Sequence, residues 1–208
     1  MERWDAIERE NLLTALRAAA PDAPTLCEGW QARHLATHLY LRRHRPWQNF
    51  RQGDGSVFAT LAEEASDPAR YAEVVERFAE TPGRFSPMRL QDGPFGMLAN
   101  HVEYVIHHED LRRGAGPVPP RTLPAEQADA VFDGATRFAS MALRKAAVGV
   151  VFVVPGGRRT VVRKGDDAVA VVGAPVDLAL VAAGRRRAAN VELRGAEEAV
   201  TTFEATTV

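Results

Sequence analysis

The residues best placed to do chemistry are Glu103 and His107, in the run Glu103-Tyr104-Val105-Ile106-His107. On a helix, a spacing of four sets a carboxylate and an imidazole on one face, close enough to share a single ion. Asp110 falls three residues further along that face and Asn100 three before Glu103, while Leu98, Val102 and Val105 point elsewhere. A polar stripe of this kind is also what a solvated helix face looks like. Spacing alone leaves both readings standing, although the stripe lacks the Lys and Arg that solvated faces carry.

A second pair, His34 and His38, is also four apart and flanks Leu35, which should face a core. A histidine on an apolar face is most often a core residue satisfied by one hydrogen bond. His38 nevertheless sits where an inward side chain could meet Glu103 and His107 across a bundle. Two histidines and one carboxylate make a three-ligand set with an open position, as in catalytic zinc sites. Iron and nickel suit the same donors. Other chemistries are excluded. There is no G-x-x-x-x-G-K phosphate loop, no G-x-G-x-x-G and no G-x-S-x-G elbow. His108-Glu109 lacks the second histidine of a zincin, and nothing around Cys27 resembles a papain-type nucleophile.

These residues must be held by a chain of 208 residues, 46% hydrophobic and 25% charged, which is ordinary soluble globular composition. A net charge of −1 supplies no basic field for nucleic acid or an anionic membrane. A single cysteine excludes a disulfide scaffold, and the apolar run 146–154 is too short to span a bilayer. With no apolar signal core after Met1, the cytoplasm is the expected compartment. All six histidines lie in the first 108 residues.

Apolar periodicity predicts helices up to Pro21 (through Trp4, Ile7, Leu12, Leu13 and Leu16), over 30–45, over 69–80 and over 97–113. Residues 51–67 read as loop, and Pro82, Gly83, Pro87, Gly93 and Pro94 as an irregular link. Four such helices suggest an antiparallel bundle. The Gly/Pro-rich run from Gly114 to Pro120 reads as a linker. Beyond it, a helix at 125–145 precedes strands at 148–154, 160–162, 168–172 and 190–194, with helices at 177–184 and 196–203. The predicted fold class is therefore α+β in two domains: a bundle at 1–114, a linker at 115–120 and a small α+β domain at 121–208.

The run from Thr25 to Leu39, with Gly29-Trp30 and His38-Leu39, resembles the second-helix motif of the DinB-like superfamily. It is closer to the mycothiol-dependent maleylpyruvate isomerase branch, with its G-W…H-L pattern. Glu103 to Leu111 is similar to that branch's E-x-x-x-H-x-x-D-L on the last bundle helix. Gly173 to Leu178, Gly184-Arg185 and Val191 to Gly195 resemble its sterol-carrier-like C-terminal domain, so the likeness spans nearly the whole chain.

The resemblance implies a DinB-like metal-binding four-helix bundle with His38, Glu103 and His107 as ligands, and His34 beside them but not among them. It implies zinc as the divalent metal and mycothiol as co-substrate. A low-molecular-weight thiol with a pKa of about 8.5 is mostly protonated at neutral pH, and a zinc ion with an open position would hold it as thiolate. Attack on a small electrophile then gives S-transfer or, on a cis-enedione acid, cis–trans isomerisation. Asp110 is implied to orient His107 or a substrate group, or else to be a structural surface residue beside Arg112 and Arg113; Arg185 is implied to meet a substrate carboxylate, or else belongs with Arg186 and Arg187 to a solvated charge cluster. The expected partners are small molecules, with no nucleic acid or membrane, and the protein a monomer or homodimer. The chain departs from the branch in its loop-rich link between His38 and Glu103 and its short third helix, which identifies no mycothiol contact. The alternative is a non-enzymatic module that binds a metal or an apolar ligand. A closed fourth ligand, from His34 or Cys27, would be its sign.

Overall fold

The apolar period of the first twenty residues produces α1 (Trp4–Ala18), which buries Leu12, Leu13 and Leu16. The computed structural model describes residues 2–49, 53, 55–83 and 94–206; Asp54, Pro87 and Gly93 of the expected irregular stretches lie outside them. The remaining helices of the first half are α2 (Ala32–His44), the short α3 (Pro46–Asn49), α4 (Val57–Glu64), α5 (Pro68–Ala79) and α6 (Pro94–Arg112).

Helix α4 corrects the loop expected over 51–67. Ser56 caps it by accepting a hydrogen bond from the Ala59 N–H, and Phe58 and Ala62, four apart, bury one face. The glycines before it and Asp67-Pro68 after it masked a helix of only two turns. Asp67-Pro68 in fact opens α5: the Asp67 carboxylate accepts from the Ala69 and Arg70 N–H groups, and Pro68 takes the first turn.

The chain divides into two compact units. One holds residues 1–100 and 107–119. In it α2 packs on α4 and α5, and α5 on α1, around Leu35, Leu39, Phe58 and Phe78. Tyr71 is buried there with its hydroxyl donating to the Leu16 carbonyl at 2.8 Å, and burial pushes its pKa up to about 12. Gly114, expected to begin a linker, is packed tightly in this unit. A Cβ there would lie 2.0 Å from the Pro24 carbonyl oxygen and 2.6 Å from the Thr25 Cα, both backbone atoms that cannot swing aside. Gly114→Ala is expected to lower the melting temperature by several degrees, as the ~1–3 kcal/mol cost of overpacking implies. Ala115→Gly, at an exposed position, provides the control.

The other unit holds residues 101–106 and 120–208. It contains α7 (Ala125–Ala142), β1 (Gly149–Val153), β2 (Arg159–Arg163), β3 (Ala168–Gly173), α8 (Pro175–Ala182), β4 (Val191–Arg194) and α9 (Glu197–Glu204). Its sheet runs β2-β1-β3-β4, with β1 antiparallel to β2, parallel to β3, and β3 antiparallel to β4. Gly156, at φ 68°, turns the β1–β2 hairpin. Phe132, Phe152, Leu178 and Phe203 fill its core. A second cluster joins Val102, Val105 and Ile106 of α6 to Val131, Ala135, Val176 and Ala179. The fold is thus α+β, a helical bundle with a small α+β domain. Among the described residues no helix is long and apolar enough to cross a membrane.

Candidate metal centre

Gly29, at φ 75°, turns the chain into Trp30 and Gln31, and α2 begins one residue later. The Gln31 N–H donates to His34 Nδ1 at 3.1 Å, so His34 caps its own helix. That bond occupies one ring nitrogen of His34, while His38, one turn on, meets His107 of α6. Across from it, Glu103 and His107 occupy one face of α6, as their spacing predicts.

The structure brings His38, Glu103 and His107 together: one donor atom from each lies within 4.8 Å of the others. The His38 and His107 rings meet edge-on at 5.0 Å. His38 and Glu103 are half-buried and His107 is buried. A set that small, with two imidazoles and one carboxylate, has the donors and the size of a three-ligand cation site. Among the described residues, neither His34 nor Cys27 joins this set as a fourth donor.

Asp110 is not the surface residue that the neighbouring Arg112 and Arg113 suggest. It is fully buried, and both arginines pair with Glu109. Its Oδ2 lies 2.9 Å from His107 Nδ1 and 3.1 Å from the Cys27 Sγ. With the carboxylate accepting, Nδ1 carries the ring proton and Nε2 presents its lone pair, the tautomer a metal requires. The loop before α2 is fastened to the same turn of α6, because the Leu26 N–H donates to the Asp110 carbonyl at 3.0 Å. Together with Gly114 against Pro24, this stitches the entry of α2 to the end of α6.

Sequence reading missed the aromatic wall of the site. Trp30 lies 5.3 Å from the His38 ring and 5.2 Å from that of Phe58. Phe58 sits on the unexpected α4, so no local pattern pointed to it. It also missed the Cys27–Asp110 contact, which joins residues 83 apart. Arg185 follows α8 half-buried, and its guanidinium donates to the Ala183 carbonyl. Its neighbours Arg186 and Arg187 open a 3-10 turn (Arg186–Ala188), where Arg186 donates to the Phe203 carbonyl.

Of the other histidines, His108 pairs with the buried Glu8 at 2.8 Å. His44 stacks on Tyr40, and burial first, then Arg43, pushes its pKa below the usual 6.5. Burial and Arg33 do the same to His34. A histidine depressed in the folded state stabilises above its unfolded pKa and loses that contribution as pH falls through the folded value. Stability of the metal-free protein is therefore expected to begin to fall as pH drops below about 6.5, before most carboxylates titrate. Urea titrations should show a shallower fall in the His34→Gln, His44→Gln variant.

No known protein family matches the sequence, and no curated protein does. The fold is similar to the crystal structure of the mycothiol-dependent maleylpyruvate isomerase, with a TM-score of 0.53 and 18% identity over 91% of this chain and 90% of that one. It is equally similar to the structure of a point mutant of that enzyme, at TM-score 0.53 and 17% identity over the same shares.

Proposed function

We propose that this chain holds a divalent metal, zinc in the first instance, on His38, Glu103 and His107, and uses it to activate a thiol of the mycothiol class toward a small electrophile. The observation that carries this reading is the convergence of three donors within 4.8 Å, with His107 braced by the buried Asp110. The fold shared with an enzyme named as mycothiol-dependent supports the choice of thiol. When bound, the ion supplies a Lewis acid that keeps the thiol deprotonated.

The chain's own residues do the rest. Asp110 holds the His107 proton on Nδ1. His38 and Glu103 are half-buried, with both ring nitrogens of His38 turned away from solvent. Trp30 and Phe58 give the site one apolar wall, which keeps water from one side. Arg185 is assigned the substrate carboxylate, which a guanidinium binds through paired N–H donors. The product is an S-conjugate or, where the adduct can rotate and eliminate, a trans isomer. In this reading residues 1–114 form the metal-bearing domain and 121–208 the second, joined at 115–120. The cytoplasm, where thiols stay reduced, is the fitting compartment.

The test is calorimetric titration of metal-loaded protein with mycothiol, followed by assays of thiol consumption with a cis-enedione acid, an epoxide and an alkyl halide. Metal-dependent binding and turnover of at least one electrophile are expected. Arg185→Met should then raise KM for carboxylate substrates by about tenfold at unchanged metal content, the worth of one charge-assisted contact. Metal-loaded protein that neither binds nor consumes mycothiol would overturn the enzyme reading in favour of a binding module.

A further inference from the structure

We propose that Cys27, His107 and Asp110 form a second cation position, one that takes a thiophilic divalent ion. Their donor atoms lie within 4.8 Å of one another, with Asp110 Oδ2 at 3.1 Å from Cys27 Sγ and 2.9 Å from His107 Nδ1. Around a zinc-like ion with bonds of about 2.0–2.3 Å, such donors stand roughly 3.3–3.6 Å apart. Each of these contacts needs to open by only about half an ångström to admit one.

The trio is now held by two protons, the Cys27 S–H and the His107 Nδ1–H, both directed at Asp110. An ion replaces them. The thiol proton leaves to solvent, the ring proton passes from Nδ1 to Nε2, and the sulfur and carboxylate together balance a charge of +2. The donor set differs in kind from that of His38, Glu103 and His107. A thiolate favours soft ions, whereas imidazoles and a carboxylate suit harder ones as well. Asp110 and His107 are buried, and half-buried Cys27 gives access from solvent. Cys27 is also held in place: its N–H donates to Thr25 Oγ1 at 3.2 Å, and Leu26 donates to the Asp110 carbonyl.

The position shares His107 with the proposed catalytic centre but engages the opposite nitrogen. Filling it protonates Nε2 and withdraws that ligand, so a thiophilic ion competes with the metal bound through His38 and Glu103. Because His38 and Glu103 take no part in it, either site can fail alone.

Cadmium is the probe, titrated into the full-length His38→Ala, Glu103→Gln variant and followed by thiolate-to-cadmium charge-transfer absorption. A band that saturates at one equivalent is expected. Adding Asp110→Asn or, independently, His107→Gln should weaken cadmium affinity by about tenfold or more. Absence of the band overturns the proposal, as does affinity unchanged by both substitutions, which would mean that Cys27 binds cadmium by itself. Circular dichroism checks each fold. The unmutated protein supplies a measurement free of variants: alkylation of Cys27 is expected to slow at least tenfold with saturating cadmium, and an unchanged rate overturns the proposal. Metal retention by Cys27→Ser reports separately on the His38 centre.

Discussion

Purified protein is expected to carry one divalent ion per chain on the His38 centre, and the Glu103→Ala, His107→Ala double variant to carry none there. The effect is large because two of three donors disappear together. Loss of a single outer partner of a ligand already costs about 10–100-fold in metal affinity, so Asp110→Asn alone should weaken retention by that factor. The measurement is elemental analysis after dialysis, with both variants beside the parent on a Cys27→Ser background. Equal metal content in parent and double variant would refute the centre. A second readout is thermal. An ion present at a hundred times its Kd stabilises a folded chain by about 2.7 kcal/mol, and the corresponding rise in Tm should vanish in the double variant. The carboxylate at 103 and the imidazole at 107 are one helical turn apart on α6, so their removal tests whether that spacing serves a shared ion.

Glu109→Gln is expected to be the most destabilising single isosteric change in the bundle unit. Glu109 is 0% exposed and accepts from two arginines: Arg112 Nη1 at 2.7 Å and the Nε of Arg113, itself only 7% exposed. Neutralising the carboxylate takes a counter-charge away from a buried guanidinium, and breaking such a pair from one side costs about 3–5 kcal/mol. For a chain of this size that is a fall in Tm of roughly 6–20 °C. The control is Glu76→Gln. Its partner Arg17 lies 2.8 Å away, but both side chains are about half exposed, at 46% and 59%. Exposed pairs contribute under about 1 kcal/mol, so this variant should melt within a few degrees of the parent. Equal melting points for the two variants would show that the buried arrangement carries no special weight.

What could be read in the sequence was whatever follows from local periodicity. The helices bearing His38 and the Glu103–His107 pair were visible because apolar residues recur along them at helical spacing, and the sheet of the second unit because Val148–Val154 and Ala168–Val172 are dense in β-branched residues. Helix α4 was not, since two turns with two buried residues give too little period to outweigh the glycines and proline at its flanks. The burial of Asp110 was illegible for another reason. A carboxylate beside two arginines looks like a surface group, and only the fold shows that Glu109 pairs with both cations while Asp110 is buried against His107 and Cys27. The Glu8–His108 pair, a hundred residues apart, leaves no local trace at all.

The stitching of Pro24–Cys27 to the last turns of α6 bears on where this chain can change in length. Each added residue advances a helix by about 1.5 Å, whereas metal–ligand distances tolerate only about 0.2 Å. An insertion between Cys27 and His38, or between Glu103 and Gly114, would slide one of the helices that carry the candidate donors past the other while its end stays pinned at Pro24, Leu26 and Asp110. The exposed β1–β2 turn at Gly156 carries no such constraint, and extra residues there leave the donor set untouched. Descendants of this sequence that keep the proposed metal centre are therefore expected to lengthen at the hairpin and to hold the residue counts of the 24–38 and 103–114 stretches.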